Sequence, residues 1–241
     1  MGRDCQIGTR KNKIKRISFV MGDFSQNGII SNLHDFGTKT TIDIEKELLK
    51  FSKERKMELI LPSLYSELKG DALPNIVKQI GETKYLNHII IGLDKASKSE
   101  AIKAWKFFKK LNTPFTILWN DGPRLKKLHK ELKEKGLAPS ETGKGRNVWY
   151  CLGMCIARDE ARSVALHDCD IKTYDRRMLA KLFYPVVNPL FNFEFCKGYY
   201  PRVANNKMNG RVARLLVFPL LNALEKTIGK SDYLDFMKSF K

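Results

Sequence analysis

Apolar residues recur along the chain in two rhythms. Ile44, Leu48 and Phe51 fall three to four apart between Ile42 and Lys56, the spacing of one helix face. The run Glu58-Leu-Ile-Leu61 then predicts a buried strand, stopped by Pro62-Ser63. Asp71 to Glu82 reads as a helix with Asp71 as N-cap. Leu86 to Leu93 is a second buried strand ending at Asp94, and Ser97 or Ser99 opens a helix through Phe107 to Leu111. Phe115 to Trp119 is a third strand, stopped by the turn signal Asn120-Asp121-Gly122-Pro123. A lysine-rich helix over Pro123–Lys135 closes at Gly136, and a loop of small residues runs from Leu137 to Gly145. Helix Asn147–Arg162, strand Val164–His167, helix Asp175–Phe183 and strand Phe193–Lys197 continue the alternation. A long apolar helix or helix pair spans Arg211–Thr227 around Pro219, and a short helix spans Tyr233–Phe240.

Strands separated by helices of this length pair in parallel through right-handed crossovers, giving an α/β, mostly parallel sheet flanked by helices. Ligands of such sheets sit at the carboxyl ends of the strands. Chemistry is therefore expected at Pro62-Ser63-Leu64, Asp94, Asn120-Asp121, Asp168-Cys169-Asp170 and the segment after Lys197. Val212, Leu215, Leu216, Leu220 and Leu221 share a helix face and read as core. Lys103, Lys106, Lys109 and Lys110 read as the wet face of their helix.

Composition changes the picture in one respect. The 241 residues carry 44 Lys and Arg against 26 Asp and Glu, a formal charge of +18, with a pI near 9.7. An anionic partner follows, and nucleic acid is the first class to weigh. No RNP-type strand, zinc-finger spacing or helix-turn-helix signature supports it, so no specific nucleic-acid partner is expected. Part of the charge lies in residues 1–22, which read as a disordered basic extension; six Lys or Arg and one Asp fall before Met21. No apolar run reaches the roughly 18 residues of a membrane span. The apolar piece Ile17–Met21 is shorter than the roughly 7–15 residues of a signal-peptide core, so a cytoplasmic location is expected. Of the five cysteines, Cys151 and Cys155 lie four apart on a helix without a second ligand pair, which reads as buried reduced thiols rather than zinc.

Three features carry candidate chemistry. Asp168 and Asp170 are two carboxylates at a strand end, able to face one hard cation such as Mg2+ or Mn2+; taken alone, the spacing is equally that of a solvated turn with Asp170 or Thr173 capping the next helix. Gly143-Lys144-Gly145 precedes a helix and suits a phosphate, although Ala138 and Gly145 break the Walker A pattern. Asn209-Gly210-Arg211 opens the long apolar helix and suits an anion, with Lys197 pointing to the same region; the alternatives are a surface arginine and a solvated strand end.

In order, these segments resemble the glucosyl-3-phosphoglycerate synthases and related glucosylglycerate-type glycosyltransferases of the GT-A fold. The resemblance runs from Phe24-Ser-Gln-Asn-Gly-Ile-Ile to Lys241. It includes Leu61-Pro-Ser-Leu64, Gly143-Lys-Gly-Arg-Asn-Val-Trp149, Leu166-His-Asp-Cys-Asp-Ile171, Cys196-Lys-Gly-Tyr-Tyr200, Gly210-Arg-Val212 and Pro219-Leu-Leu-Asn-Ala-Leu224. It implies a GT-A domain over 23–241. Pro62, Ser63, Leu64 and Asp94 would hold the nucleotide, and Asp168 and Asp170 the metal and diphosphate-sugar. Lys144 would neutralise the diphosphate and, with Asp170, carry catalysis. Gly210, Arg211, Val212 and Lys197 would seat the acceptor. The implied reaction moves glucose from a nucleoside-diphosphate sugar to 3-phosphoglycerate or a related glycerate, with retention, by front-face attack assisted by the leaving diphosphate. The implied cofactor is Mg2+ or Mn2+, and a homodimer is compatible with the resemblance.

The chain departs from the family at three points. Tyr65-Ser66-Glu67 stands where an Asn-Glu pair is usual, and Ala213 where Thr often follows Gly-Arg-Val. The family's further metal-ligand His and adjacent acceptor residues fall downstream of Lys241, so the domain is expected to be C-terminally incomplete. A basic nucleic-acid-binding protein and a catalytically silent GT-A scaffold remain the alternative readings.

Overall fold

The computed structural model describes residues 30–31, 39–191, 193–198, 203–204, 207–208, 213–229 and 231–239. In chain order the elements are β1 (Ile30–Ser31), α1 (Thr41–Phe51), β2 (Met57–Leu64), a 3-10 turn (Tyr65–Lys69) and α2 (Ala72–Gly81). Then come β3 (His88–Asp94), α3 (Lys98–Phe108), β4 (Phe115–Trp119), α4 (Pro123–Glu134), α5 (Lys144–Arg158), β5 (Ser163–Leu166) and α6 (Arg176–Val187). Strands β6 (Phe195–Cys196), β7 (Val203–Ala204) and β8 (Lys207–Met208), a π-turn (Ala213–Val217), α7 (Phe218–Ile228) and α8 (Asp232–Ser239) complete the chain. The basic extension and the acceptor segment Gly210-Arg211-Val212 fall outside the described residues.

Four strands form one parallel sheet in the order β4-β3-β2-β5. From β2 the chain steps outward to β3 and β4, then returns past β2 to lay β5 on its other side. The order reverses between β2 and β5, and that is where an open parallel sheet leaves a crevice. Side chains alternate faces along each strand. Leu59, Leu61, Ile89, Ile91 and Leu93 join the core formed with Leu48 of α1, Ile76 and Ile80 of α2, Phe108 of α3 and Phe183 of α6. Ile60 and Ile90 face the other way, onto Cys151 and Cys155 of α5. Those two cysteines are free and buried, and burial pushes each thiol up to about 12.

Local chemistry explains most boundaries. Ser97 caps α3 in a capping box with Glu100, whose carboxylate accepts the Ser97 backbone N–H at 2.9 Å. Asp71 stands at the N-cap of α2 but its side chain makes no capping bond. Asp175, whose carboxylate accepts from the Arg177 backbone N–H at 2.8 Å, caps α6, a role the spacing offered to Asp170 or Thr173. Strand β2 continues through Pro62-Ser63 to Leu64 because β3 pairs with it to its end. The strand expected over 193–197 is not part of the main sheet: β6 pairs with β1 in a separate two-stranded ribbon.

The expected apolar core around 212–221 is corrected by the structure. Leu215, Leu216 and Leu220 are each more than 60% exposed, and Leu221 is half-buried. Helix α7 packs mainly on its own preceding turn and on α8, so its apolar stripe lies open. Periodicity identifies a shared face, not what covers it. The lysines at 103, 106, 109 and 110 are exposed, as their helix face predicted.

Helix α5 approaches the sheet closely at Gly92. A Cβ built there would lie 1.7 Å from Asn147 Oδ1 and 2.7 Å from Cys151 Sγ. Asn147 Nδ2 also donates to the Gly92 carbonyl at 2.8 Å. Gly92→Ala is expected to lower unfolding stability by about 2 kcal/mol, the cost of overpacking, readable as a shifted urea midpoint.

At the other end of the sheet, Glu58 is fully buried against Arg158, Nε to Oε1 3.0 Å. His88 lies nearby, with Nε2 2.9 Å from Thr116 Oγ1. Burial, then the Arg158 charge, lower its proton affinity. An unfolded chain therefore takes up the His88 proton first as pH falls. Stability is expected to drop as pH goes below about 6.5, the unfolded value, and to level off below the folded one. His88→Asn should flatten that part of a stability-against-pH curve; an unchanged slope would count against His88 as its source.

Candidate functional site

The carboxyl ends of β2, β3 and β5 open into a cleft of about 520 Å³. Pro62, Ser63, Leu64, Asp94, Lys144, Asp168 and Asp170 all line it. Four of the five expected strand ends, the Asn120-Asp121 end through Asp121, thus meet in one place with Gly143 and Lys144. Lys197 does not line this cleft; it follows β6 and is half-buried.

Lys144 enters from the first turn of α5. That helix begins at Lys144 rather than Asn147, after Gly143 with φ +135°, a value that favours glycine. No side chain caps α5, so its free N–H groups and positive end face the cleft. The position of a Cβ on Gly145 meets nothing within 4 Å, leaving the backbone there open to an approaching group. The Lys144 ammonium pairs with the Asp168 carboxylate. Asp170 is exposed at the same rim, and Cys169 between them is buried. Burial pushes the Cys169 thiol far up, so it stays protonated and is not a nucleophile. His167 is buried against Tyr174, with ring centroids 5.2 Å apart, and burial lowers it to about 4, leaving a neutral ring behind the aspartates.

Opposite the aspartates, the Glu67 carboxylate accepts the Leu64 backbone N–H at 3.0 Å, which folds the loop after β2 into the cleft wall. Asp94 is buried at the tip of β3, 3.6 Å from an Arg146 guanidinium nitrogen. Burial raises its carboxyl above the usual range; the Asn120 and Arg146 side chains pull it back. Asp121 accepts the Ala96 backbone N–H at 3.0 Å and ties the β3 and β4 tips together. Arg146 was not singled out by sequence patterning. Its signal is positional: with α5 starting at Lys144, Arg146 lies in the same first turn and on the cleft.

Asp168 and Asp170 supply two hard oxygen donors, a set that suits a cation still carrying waters and ligand phosphates. Among the described residues no group of three potential metal ligands forms. Among them also no helix is long and apolar enough to cross a membrane.

A parallel sheet with its cleft at the switch point, and an Asp-x-Asp beside it, define the class: a GT-A, nucleotide-diphospho-sugar transferase fold. Solved structures of the same fold include glucosyl-3-phosphoglycerate synthase from Mycobacterium tuberculosis in complex with phosphoglyceric acid. The match has a TM-score of 0.52 at 18% identity, over 80% of this chain and 57% of that one. The same enzyme in complex with Mn2+ and UDP-glucose matches with a TM-score of 0.51 at 19% identity, over 77% of this chain and 55% of that one. No family model matches the chain. In sequence the chain is a relative of the glucosyl-3-phosphoglycerate synthases. It is 44% identical to that of Persephonella marina over 221 residues, 92% of this chain and 55% of the relative. It is 37% identical to that of Methanococcoides burtonii over 225 residues, 91% of this chain and 54% of the relative. The chain thus spans about half the length of the curated relatives it matches.

Proposed function

We propose that residues 23–241 form a GT-A domain that binds a nucleoside-diphosphate glucose with a divalent cation in this cleft. In this reading the domain serves the retaining transfer of glucose to 3-phosphoglycerate or a related glycerate. The observation that carries the reading is the Lys144–Asp168 pair at the crevice between β2 and β5, which seats a cation on the first carboxylate of Asp-x-Asp. Homology to glucosyl-3-phosphoglycerate synthases supports it, as does the fold shared with an enzyme solved with Mn2+ and UDP-glucose.

Pro62, Ser63 and Leu64 form the wall along which the nucleoside lies, with Asp94 at its far end. Asp168 and Asp170 would hold Mg2+ or Mn2+ in the part of the cleft that receives the diphosphate. When bound, that ion supplies Lewis-acid stabilisation of the departing diphosphate. Lys144 and the open N-terminus of α5 supply fixed positive charge to the same oxygens. The acceptor's anionic groups fall to Gly210, Arg211, Val212 and Lys197. No enzymic nucleophile is needed for front-face attack, so the work of the chain is positioning and charge. A cytoplasmic setting and a homodimer belong to the same reading.

Calorimetric titration of the chain with UDP-glucose and GDP-glucose tests it. Binding of at least one donor is expected with Mn2+ and not with a chelator. Binding indifferent to the metal, or no binding of either donor, overturns the proposal.

A further inference from the structure

Helix α3 buries one face and leaves the opposite one open. Ala104 and Phe108 point inward and are buried. On the other side Lys98, Ile102, Trp105 and Lys109 follow one another at three to four residues, a straight row along the helix. All four are exposed, Ile102 to 51% and Trp105 to 50%. Lys103, Lys106 and Lys110 are exposed beside the row. The one carboxylate of the helix, Glu100, is engaged at its N-terminus, accepting from the Ser97 backbone N–H and hydroxyl, each at 2.9 Å. Among the described residues none of these lysines forms an ion pair. The Lys109 ammonium lies instead over the Trp105 ring, 5.4 Å from its centroid.

Exposed lysines alone make an ordinary wet helix face. Two half-exposed apolar side chains in line with them fit a partner that takes apolar atoms and positive charge at the same level. The surface of an anionic bilayer is such a partner, since its phosphate headgroups lie directly over acyl chains. Tryptophan favours that boundary. Lysine stems lie along apolar surface while their ammoniums stay among the headgroups. We infer that the open row of α3 is a docking surface for an anionic lipid bilayer, on which the chain rests peripherally. A polynucleotide fits less well. Bases stack on open ring faces, and the Trp105 face carries Lys109. Ile102 offers neither a base edge nor a phosphate anything to bond. None of these residues lines the cleft at the strand ends, so docking leaves it free and does not depend on what it binds.

Co-sedimentation of the 241-residue chain with vesicles tests this, comparing phosphatidylcholine alone with an equal mixture of phosphatidylcholine and phosphatidylglycerol. Binding is expected to the mixed vesicles only, and to weaken as salt is added. Each lysine near an anionic surface is worth about fivefold, so Lys106→Gln with Lys109→Gln should weaken binding roughly 25-fold. Trp105→Ala should weaken it about tenfold and remove most of the blue shift that vesicles induce in tryptophan emission. The control is Lys130→Gln with Lys133→Gln on α4. That helix packs through His129 on Tyr150 of α5, over the other face of the sheet. The same charge is lost there, and binding should stay within about twofold of the parent. All the altered side chains are exposed, so the variants should unfold like the parent. Equal losses in the two lysine pairs would make binding a matter of bulk charge and overturn the inference. Binding unaltered in the α3 variants, or none to the mixed vesicles, overturns it too. Single-stranded DNA bound at physiological salt with the same dependence on Trp105, Lys106 and Lys109 overturns it in favour of nucleic acid.

Discussion

Asp170→Ala is expected to abolish the metal-dependent part of donor binding, a loss of about 100-fold or more, the equivalent of one to two charge-assisted bonds. The reasoning is geometric. Asp168 already has a cation, Lys144, on one oxygen. Asp170 is exposed at the rim of the same cleft, and the helix that follows is capped by Asp175 instead. A carboxylate with no role in the fold can be removed at little cost to stability, so the variant should unfold like the parent. Titration of the donor with and without Mn2+ separates the two effects. A variant that keeps its metal dependence would remove Asp170 from the proposed site.

The parts of this site differ in how far local sequence could announce them. Strand β4 has the limits its pattern gave, because Asn120-Asp121-Gly122-Pro123 cannot extend a strand and Phe115–Trp119 pairs with β3 along its length. Strand ends are legible where a turn follows, and Asp94 and Asp168 were found that way. The start of α5 was not, since Gly143 stops the chain by its φ and no capping side chain advertises the helix. The pattern leaves Lys144, Gly145 and Arg146 outside the helix; Lys144 and Gly145 are still legible from the Gly-Lys-Gly motif, and Arg146 is not. Asn120 is visible as a turn residue, but its place beside Asp94 depends on β3 and β4 lying side by side. That is a fact of topology, which no window of ten residues contains. The exposed leucines of α7 show the converse limit, a face legible in sequence whose covering is not.

Lys144→Met is expected to move two affinities in opposite directions. With both side chains about half exposed, 57% and 43%, the Lys144–Asp168 pair is screened and contributes little to stability, about 0–1 kcal/mol. It is a pair that can be broken. In the empty cleft the ammonium occupies the carboxylate that the proposed cation needs, so it competes with the metal. In the loaded cleft the same ammonium, at the N-terminus of α5, meets the diphosphate instead. Replacing it with an uncharged side chain of similar length frees Asp168, and Mn2+ alone should bind several-fold more tightly. The donor in the presence of saturating Mn2+ should bind roughly 50-fold more weakly, having lost a charged contact to phosphate. Electron paramagnetic resonance reads free Mn2+ for the first quantity, and calorimetry reads the second. A fall in both would make Lys144 a structural support of the site; no change in either would place it outside the site. Only opposite signs fit a lysine that holds the metal's place until the donor arrives.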